Sequence, residues 1–302
     1  MNERGLKVAI LLATFNGEKY LLDQLKSLES QKDVTLSVFA NDDGSTDQTQ
    51  SILNAWFKKG VIKEITYTNG VGSTKAFSKL LEKNHDFDYI AFCDQDDIWE
   101  STKLVDLIRE MDSINTQIPQ LAFSRRTFID SKNSVIGSSK RLSKAPSFAN
   151  ALVENIAPGN TILLNREAAK LVNVFFTNSI CHYDSFTYLI ISAFGRCIFV
   201  DKALVRYRIH SENSIGLRKF DIRSTRASIL CYIRHWQILD ESRHKVVEED
   251  VKAILNSHLN ILEEKRTIPL LWSIFMLRVI RQSRFDTYMF KIILFFVLRK
   301  IN

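Results

Sequence analysis

Continuous apolar runs of strand length alternate along the first third of the chain with stretches whose apolar residues recur every three to four positions. Lys7–Thr14 (KVAILLAT) reads as a buried strand, and Phe15, Asn16 and Gly17 have the composition of a turn. Tyr20, Leu21, Leu25 and Leu28 then recur at helical spacing, with Lys19, Asp23, Lys26 and Glu29 between them. The pattern repeats: strand 36–40, helix 49–57 with Ser45 or Asp47 as its N-cap, strand Ile62–Tyr67, a helix containing 76–81, strand 88–93 and helix 103–111. Strict alternation of this type predicts an α/β fold with a mostly parallel central sheet flanked by helices. In such sheets ligands sit beyond the carboxyl ends of the strands.

The rest of the chain is less regular. Residues 113–119 look like a break between halves, 121–130 (LAFSRRTFID) reads as a strand carrying basic residues, and 157–165 (APGNTILLN) as a turn followed by a strand. Helices are expected over 166–176 and 185–194, the latter ending at Gly195, then a strand over 204–207 and a polar turn from Arg208 to Asn213. Beyond Gly216 only helical patterns follow, over 224–239, 246–262, 270–281 and 288–301. This divides the chain into an α/β region, 1–216, with halves 1–112 and 113–216, and a helical carboxyl-terminal extension, 217–302.

Composition changes this picture in two places. The net charge of the 302 residues is +7, and residues 266–302 carry seven basic side chains against Asp286, a net +6, so the remainder is close to neutral. Positive charge gathered in an apolar tail argues against nucleic-acid binding, which needs an aromatic and basic groove. The last segment, 288–301 (YMFKIILFFVLRKI), is too short and too charged to span a bilayer, which takes about twenty apolar residues. It suits either the interface of an anionic membrane or a packed contact with the catalytic region or a second copy of the chain. The four cysteines, Cys93, Cys181, Cys197 and Cys231, are scattered without a CxxC pair, which argues against zinc and against a disulfide framework. With no apolar leader before the first strand, a cytoplasmic setting is expected, peripheral at the inner face of the cell membrane.

Candidate chemistry gathers on one rim. The turns after the first and second strands and the cluster Asp94, Gln95, Asp96, Asp97 after the fourth all fall at strand carboxyl ends. Three carboxylates within four positions repel one another and gain from a hard divalent cation, Mg²⁺ or Mn²⁺. Alone, the cluster fits a solvated acidic turn capping the next helix equally well. The sequence lacks both GxGxxG after the first strand and GxxxxGK[ST], so a bound phosphate would need that cation rather than a glycine-rich cradle.

Four pieces in this order, ATFN (13–16), NDDGSTDQT (41–49), GSTKAF (72–77) and FCDQDDIWESTKL (92–104), resemble the family 2 inverting glycosyltransferases of the GT-A fold. CDQDDIW and YRIHSENSIG (207–216) resemble in particular its rhamnosyltransferase-like members. The resemblance covers 7–216. It implies a nucleoside-diphosphate sugar donor, dTDP- or UDP-linked, with Ala13, Phe15, Asp42, Asp43, Lys75, Asp94 and Gln95 on the nucleotide. Phe15 would stack on a pyrimidine or belong to the core, and Asp43 would accept the base N3 proton. Asp94, Asp96 and His210 would hold the metal, with Asp97 assisting, and Arg208 and His210 would meet the diphosphate. Gly159, Asn160 and Tyr183 would line the acceptor cleft. Asp184, at the start of a helix whose macrodipole favours the anion, would be the general base, with His182 the substitute. The implied reaction moves a sugar, rhamnose by this resemblance, to a glycan or lipid-linked acceptor in cell-surface polysaccharide synthesis. A sugar-nucleotide-forming nucleotidyltransferase and a non-catalytic sugar-nucleotide-binding or membrane scaffold protein remain the alternatives.

Overall fold

The computed structural model of the chain describes residues 6–112, 117–177, 179–210, 222–241, 249–265 and 280–301, together with 270, 273, 274, 276 and 277. Parallel strands β1 (Lys7–Thr14), β2 (Thr35–Asp42), β3 (Ile62–Tyr67) and β4 (Tyr89–Asp94) alternate with helices α1 (Leu21–Glu29), α2 (Thr49–Lys58) and α3 (Ser73–Asn84), as the apolar runs predict. After β4 come a two-residue β5 (Ile98–Trp99), α4 (Lys103–Asp112), β6 (Gln120–Ile129), β7 (Val135–Ser138), α5 (Phe148–Ala151), β8 (Leu163–Asn165), α6 (Arg166–Phe175), α7 (Tyr183–Phe194) and β9 (Arg196–Arg208). The sheet runs β3-β2-β1-β4-β8-β6-β9-β5, with β7 beside β6. β6 and β9 pair in parallel, and short antiparallel contacts at β5, β7 and β8 close the second half of the α/β region.

Why β1 is apolar throughout follows from its position between β2 and β4. Successive side chains face opposite sides, so Ala9 and Leu11 enter one core with α3, α6, α7 and the carboxyl-terminal helices, whereas Val8, Ile10 and Leu12 enter a second with α1, α2 and α4. The carboxyl-terminal helices are α8 (Ile222–Glu241), α9 (Glu249–Glu263) and α10 (Arg284–Ile301). Trp236 is fully buried and donates its indole N–H to the Leu152 carbonyl at 2.9 Å, fixing α8 to the α/β region. Among the described residues no helix is long and apolar enough to cross a membrane.

Three local expectations change. The strand expected over 204–207 is the end of the 13-residue β9, whose earlier residues pair with β6. The N-cap of α2 is Gln48, although the Asp47 carboxylate accepts from the Thr49 N–H at 3.0 Å and so fills a capping role one position earlier. Helix α7 starts two residues before the expected 185, with His182 as N-cap, which places Asp184 inside its first turn. Most of the expected break at 113–119, the end of the polar turn at 211–213 and residues 271, 272, 275, 278 and 279 of the helix expected over 270–281 lie outside the described residues.

Candidate active site

Register brings the three polar turns together. Ala13 pairs with both Asn41 and Asp94, and Thr14 with Asp42, so the ends of β2, β1 and β4 stand side by side on one rim. Each turn is tied to the next. The Gln95 carboxamide accepts from the Phe15 N–H and donates to the Phe15 carbonyl, both at 2.8 Å, and so fastens the β1 turn to the acidic cluster. Gly17 lies against this strap: a Cβ there would sit 2.2 Å from Gln95 Oε1. The Phe15 ring is 54% exposed, which removes the core reading of this residue and leaves an aromatic face on the rim.

Asp42 and Asp43 have different duties. Asp42 is fully buried; Oδ1 accepts from the Thr14 and Ser45 hydroxyls and Oδ2 from the Ser45 N–H and the Gln50 amide, so its capacity goes into bracing the turn. Asp43 accepts from the Val71 N–H, the Gly72 N–H and the Thr68 hydroxyl. Burial opposes its charge, but these donors hold its carboxyl below the usual carboxylate range. The Gly72 N–H belongs to the N-cap of α3, and Lys75 stands exposed in the first turn of that helix.

Asp94, Asp96 and Asp97 meet Asp184 across the rim. Burial raises Asp94 well above the usual carboxylate range, and the Asp97, Asp96 and Asp184 carboxylates raise it further. Burial and Asp96 push Asp97 up to about 7, against hydrogen bonds from the Asn160 amide and the Arg208 N–H. His210 Nε2 lies 2.9 Å from Asp96 Oδ2, forming a donor pair at the edge of the cluster.

Gly159 and Asn160 form a short 3-10 turn (Gly159–Thr161) that links the two acidic groups. The Gly159 N–H donates to Asp184 Oδ2 at 3.3 Å, the Asn160 amide donates to Asp97, and the Asn160 carbonyl accepts from Lys103 Nζ at 2.6 Å. Asn160 Oδ1 is buried and has no partner among the described residues. Gly159 must be glycine because a Cβ would fall 1.9 Å from the Tyr183 hydroxyl. Tyr183 itself is packed between Phe77 and Phe92, with ring centroids 4.3 and 4.9 Å away, and supports the turn from below.

The Asp184 carboxylate accepts from its neighbour Ser185 N–H at 2.7 Å. Its helix terminus was expected to keep it anionic; burial outweighs that effect and raises its pKa, against the Ser185 N–H, the His182 charge, the Gly159 N–H and the Asn155 side chain. A carboxylate shifted in this direction is a stronger base than an exposed one.

The cations beside the cluster are largely committed elsewhere. Arg208 is 1% exposed. Its guanidinium donates to the Asp96 and Asp130 carbonyls, to Asn133 and to Asp23, and lies 4.4 Å from the Tyr20 ring centroid. It therefore acts as a brace behind His210 and is not presented to the rim. Two cations absent from the sequence-based site complete the surroundings. Burial takes the Lys103 ammonium down to about 7, against the pull of Cys93, Asp97 and Asp94. Arg126, from the basic strand β6, stacks 4.6 Å from the Tyr207 centroid within reach of the charges of Asp97, Asp184 and Asp94. The double arginine in LAFSRRTFID was the one signal for it.

Comparison with known proteins agrees with this architecture. The dTDP-rhamnosyl transferase RfbG of Shigella flexneri is 31% identical over 222 residues, spanning 68% of this chain and 73% of that protein. The crystal structure of S. aureus TarS 1-349 in complex with UDP-GlcNAc superposes with a TM-score of 0.64 at 16% identity, over 98% of this chain and 90% of that one. The mannosyltransferase PcManGT from Pyrobaculum calidifontis, in complex with GDP-Man and Mn²⁺, superposes with a TM-score of 0.50 at 13% identity, over 97% and 86%. Residues 9–182, which contain most of β1, the acidic cluster at 94–97 and the turn at Gly159, match the family described as glycosyl transferase family 2, and the chain belongs to that family.

Proposed function

We propose that the chain transfers rhamnose, with inversion, from dTDP-rhamnose to a glycan or lipid-linked acceptor in cell-surface polysaccharide synthesis. One observation carries the mechanism: the Asp184 carboxylate and the acidic cluster are joined through a single turn, Gly159–Asn160, so a base and a diphosphate site face each other across the rim. In this reading Phe15 stacks on the pyrimidine. Asp43, held anionic by three donors, accepts the N3 proton of the base. Asp184 removes the proton from the acceptor hydroxyl as that oxygen attacks the anomeric carbon opposite the leaving diphosphate.

The donor set of Asp94, Asp96 and His210, oxygen-rich and crowded with like charge, fits Mg²⁺ or Mn²⁺. When bound, such an ion neutralises diphosphate charge and stabilises the leaving group. Support for this donor class comes from the relative described as a dTDP-rhamnosyl transferase and from the neighbours described in complex with UDP-GlcNAc and with GDP-Man and Mn²⁺. The test is thermal stabilisation of the chain by a panel of nucleotide sugars with Mn²⁺ or Mg²⁺, followed by release of nucleoside diphosphate. The largest shift is expected with dTDP-rhamnose. Stabilisation by no pyrimidine nucleotide would overturn the reading, and release of pyrophosphate would move the chain to the nucleotidyltransferases.

Helix α10 gives this enzyme a surface for a lipid-linked acceptor. Phe290, Leu294, Val297 and Leu298 are buried, whereas Phe285, Tyr288, Ile292 and Phe296 form an exposed apolar stripe at helical spacing. With Arg281, Arg284, Lys291 and Arg299 around it, the stripe fits an anionic membrane interface. Sedimentation with vesicles containing anionic lipid, and not with neutral ones, is expected; a dimer without vesicle binding would assign the stripe to a second copy of the chain.

A further inference from the structure

Cys181 and Cys231 are fifty residues apart in sequence, and their scatter argued against zinc. The fold brings them together. Cys231 and His235 stand at i and i+4 of α8, on one helix face, and Cys181 lies in the loop two residues before α7. Among the described residues these three form a group whose ligand atoms, two sulfurs and a ring nitrogen, all lie within 4.8 Å of one another. Cys231 Sγ is 3.6 Å from His235 Nε2. Tetrahedral zinc, with Zn–S about 2.3 Å and Zn–N about 2.0–2.1 Å, holds sulfur and nitrogen ligands about 3.5 Å apart.

The surroundings prepare the same donors. The Cys181 N–H points at His235 Nε2 at 3.4 Å, so that nitrogen carries a lone pair, which zinc would take over from this contact. The ring proton is then on Nδ1, 3.5 Å from Ser185 Oγ. An imidazole oriented through its second nitrogen is the usual arrangement of a metal ligand. Burial keeps the ring neutral, with a pKa of about 3, and the His182 charge acts in the same direction. Burial, the neighbouring Cys181 and the Asp184 charge raise the Cys231 thiol well above its ordinary value, with the His182 N–H opposing them, so the thiolate would form only with the metal in place. Cys231 and His235 are buried while Cys181 is exposed, so the group opens to solvent on one side.

We propose that Cys181, Cys231 and His235 bind Zn²⁺ as an open three-ligand site that pins α8 to the start of α7. Binding would release the two thiol protons to solvent, with a water completing the coordination. The soft sulfur donors separate this site from the oxygen-rich rim, which takes harder ions. Because α7 carries Asp184 in its first turn, the metal also fixes the helix that presents the proposed base.

The test is the metal content of the full chain, expressed in zinc-supplemented medium and purified without chelator, followed by replacement of zinc with Co²⁺. About one zinc per chain is expected, and the Co²⁺ form should show thiolate-to-metal charge transfer with intense tetrahedral visible bands, which oxygen ligands at the rim do not give. Cys181→Ser changes an exposed side chain and should leave the fold intact. It should weaken zinc binding by more than the roughly 10–100-fold that loss of a mere orienting partner costs. Cys231→Ser should abolish the charge-transfer band. Absence of zinc and of that band in the unaltered chain, a Cys181–Cys231 disulfide in freshly purified protein, or equal zinc affinity in Cys181→Ser would each overturn the proposal. None of these readouts involves sugar transfer, so failure here is distinguishable from failure of the glycosyltransferase reading.

Discussion

Replacing Asp184 by Asn separates proton removal from every other duty of the rim. The two carboxylate oxygens accept from the Ser185 and Gly159 N–H groups at 2.7 and 3.3 Å. An Asn side chain keeps its oxygen toward Ser185 and turns its NH₂ toward the Gly159 N–H, which loses its acceptor at a cost of about 1–3 kcal/mol. Against this, the substitution removes one of the charges that raise Asp94, which relieves repulsion within the cluster. The two effects oppose each other, so the melting temperature should move by only a few degrees and donor affinity should be kept. Turnover should not be kept. A positioned general base contributes about 10²–10⁴ in rate, so kcat should fall by that factor, equivalent to about 2.7–5.4 kcal/mol at 1.36 kcal/mol per decade. The assay pairs nucleoside-diphosphate release in the presence of acceptor with donor titration calorimetry. The acid limb of the pH–rate profile, displaced upward in the unaltered enzyme because burial raises Asp184, should vanish in the variant. Turnover within about threefold of the unaltered enzyme would remove Asp184 from the mechanism and leave His182 as the candidate.

Gly159→Ala drives a Cβ into the Tyr183 ring, with contacts of 1.9, 2.4 and 2.7 Å. Overpacking of this type costs about 1–3 kcal/mol, read as a lower denaturation midpoint, and transfer should fall because the turn carries both Asp97 and Asp184 contacts. Gln95→Ala removes both hydrogen bonds to the Phe15 backbone, and a loss of about 1.4 kcal/mol in ordering that turn would raise the donor Kd about tenfold; an unchanged Kd would show that the strap is dispensable. His258 is buried in α9 with its pKa down to about 4, because burial disfavours the charged ring, the Ile254 carbonyl opposes the shift and Lys291 adds to it. Its unfolded form takes up a proton below about pH 6.5, so this contribution to stability is present above that pH and is lost as pH falls toward 4, by roughly 3 kcal/mol. His258→Phe should flatten the difference in denaturation free energy between pH 6.5 and 4; an identical pH slope would refute the assignment. Chelation with EDTA should abolish stabilisation by dTDP-rhamnose, measured by thermal shift, and stabilisation undiminished by chelator would refute the metal-bridged diphosphate.

The parts legible in sequence are those whose structure is set locally. β1 and β4 are buried on both faces, and a continuous apolar run announces them. Two-residue β5 exists through pairing with the end of β9, more than 100 residues away, and the first half of β9 through pairing with β6, more than 70 residues away, so no local pattern contains them. Side-chain duties divide in the same way. Asp43 and Asp184 stand out in the sequence as acids at a strand end and a helix start, positions where a plain helix cap uses the same residue type. Arg208 resembles a phosphate contact in sequence, yet its donors are taken up by the Asp96 and Asp130 carbonyls, and these become neighbours only when β9 crosses the rim. The Cys181, Cys231 and His235 group was hidden for the same reason: its members come from two elements that share no motif.

The disposition of the cations explains why the rim should need a metal at all. Asp94, Asp96, Asp97 and Asp184 converge there, and the pKa values of Asp94 and Asp97 are raised by their neighbours as well as by burial. Arg208 faces away into carbonyls, and Lys103 is spent on the Asn160 carbonyl and the Trp99 ring, 3.0 Å from its centroid. Arg126 is the cation left facing the cluster that is tied mainly to aromatic rings. One guanidinium cannot offset four carboxylates together with an incoming diphosphate, whose own charge would be repelled by any cluster left acidic. In related chemistry a glycine-rich backbone supplies the missing positive potential, but no such loop occurs here. A divalent cation held by Asp94, Asp96 and His210, as proposed, would relieve both repulsions. Asp184 is held through the Gly159 N–H, whereas Asp97 is held through the Asn160 amide, so the proposed base would stay off the metal.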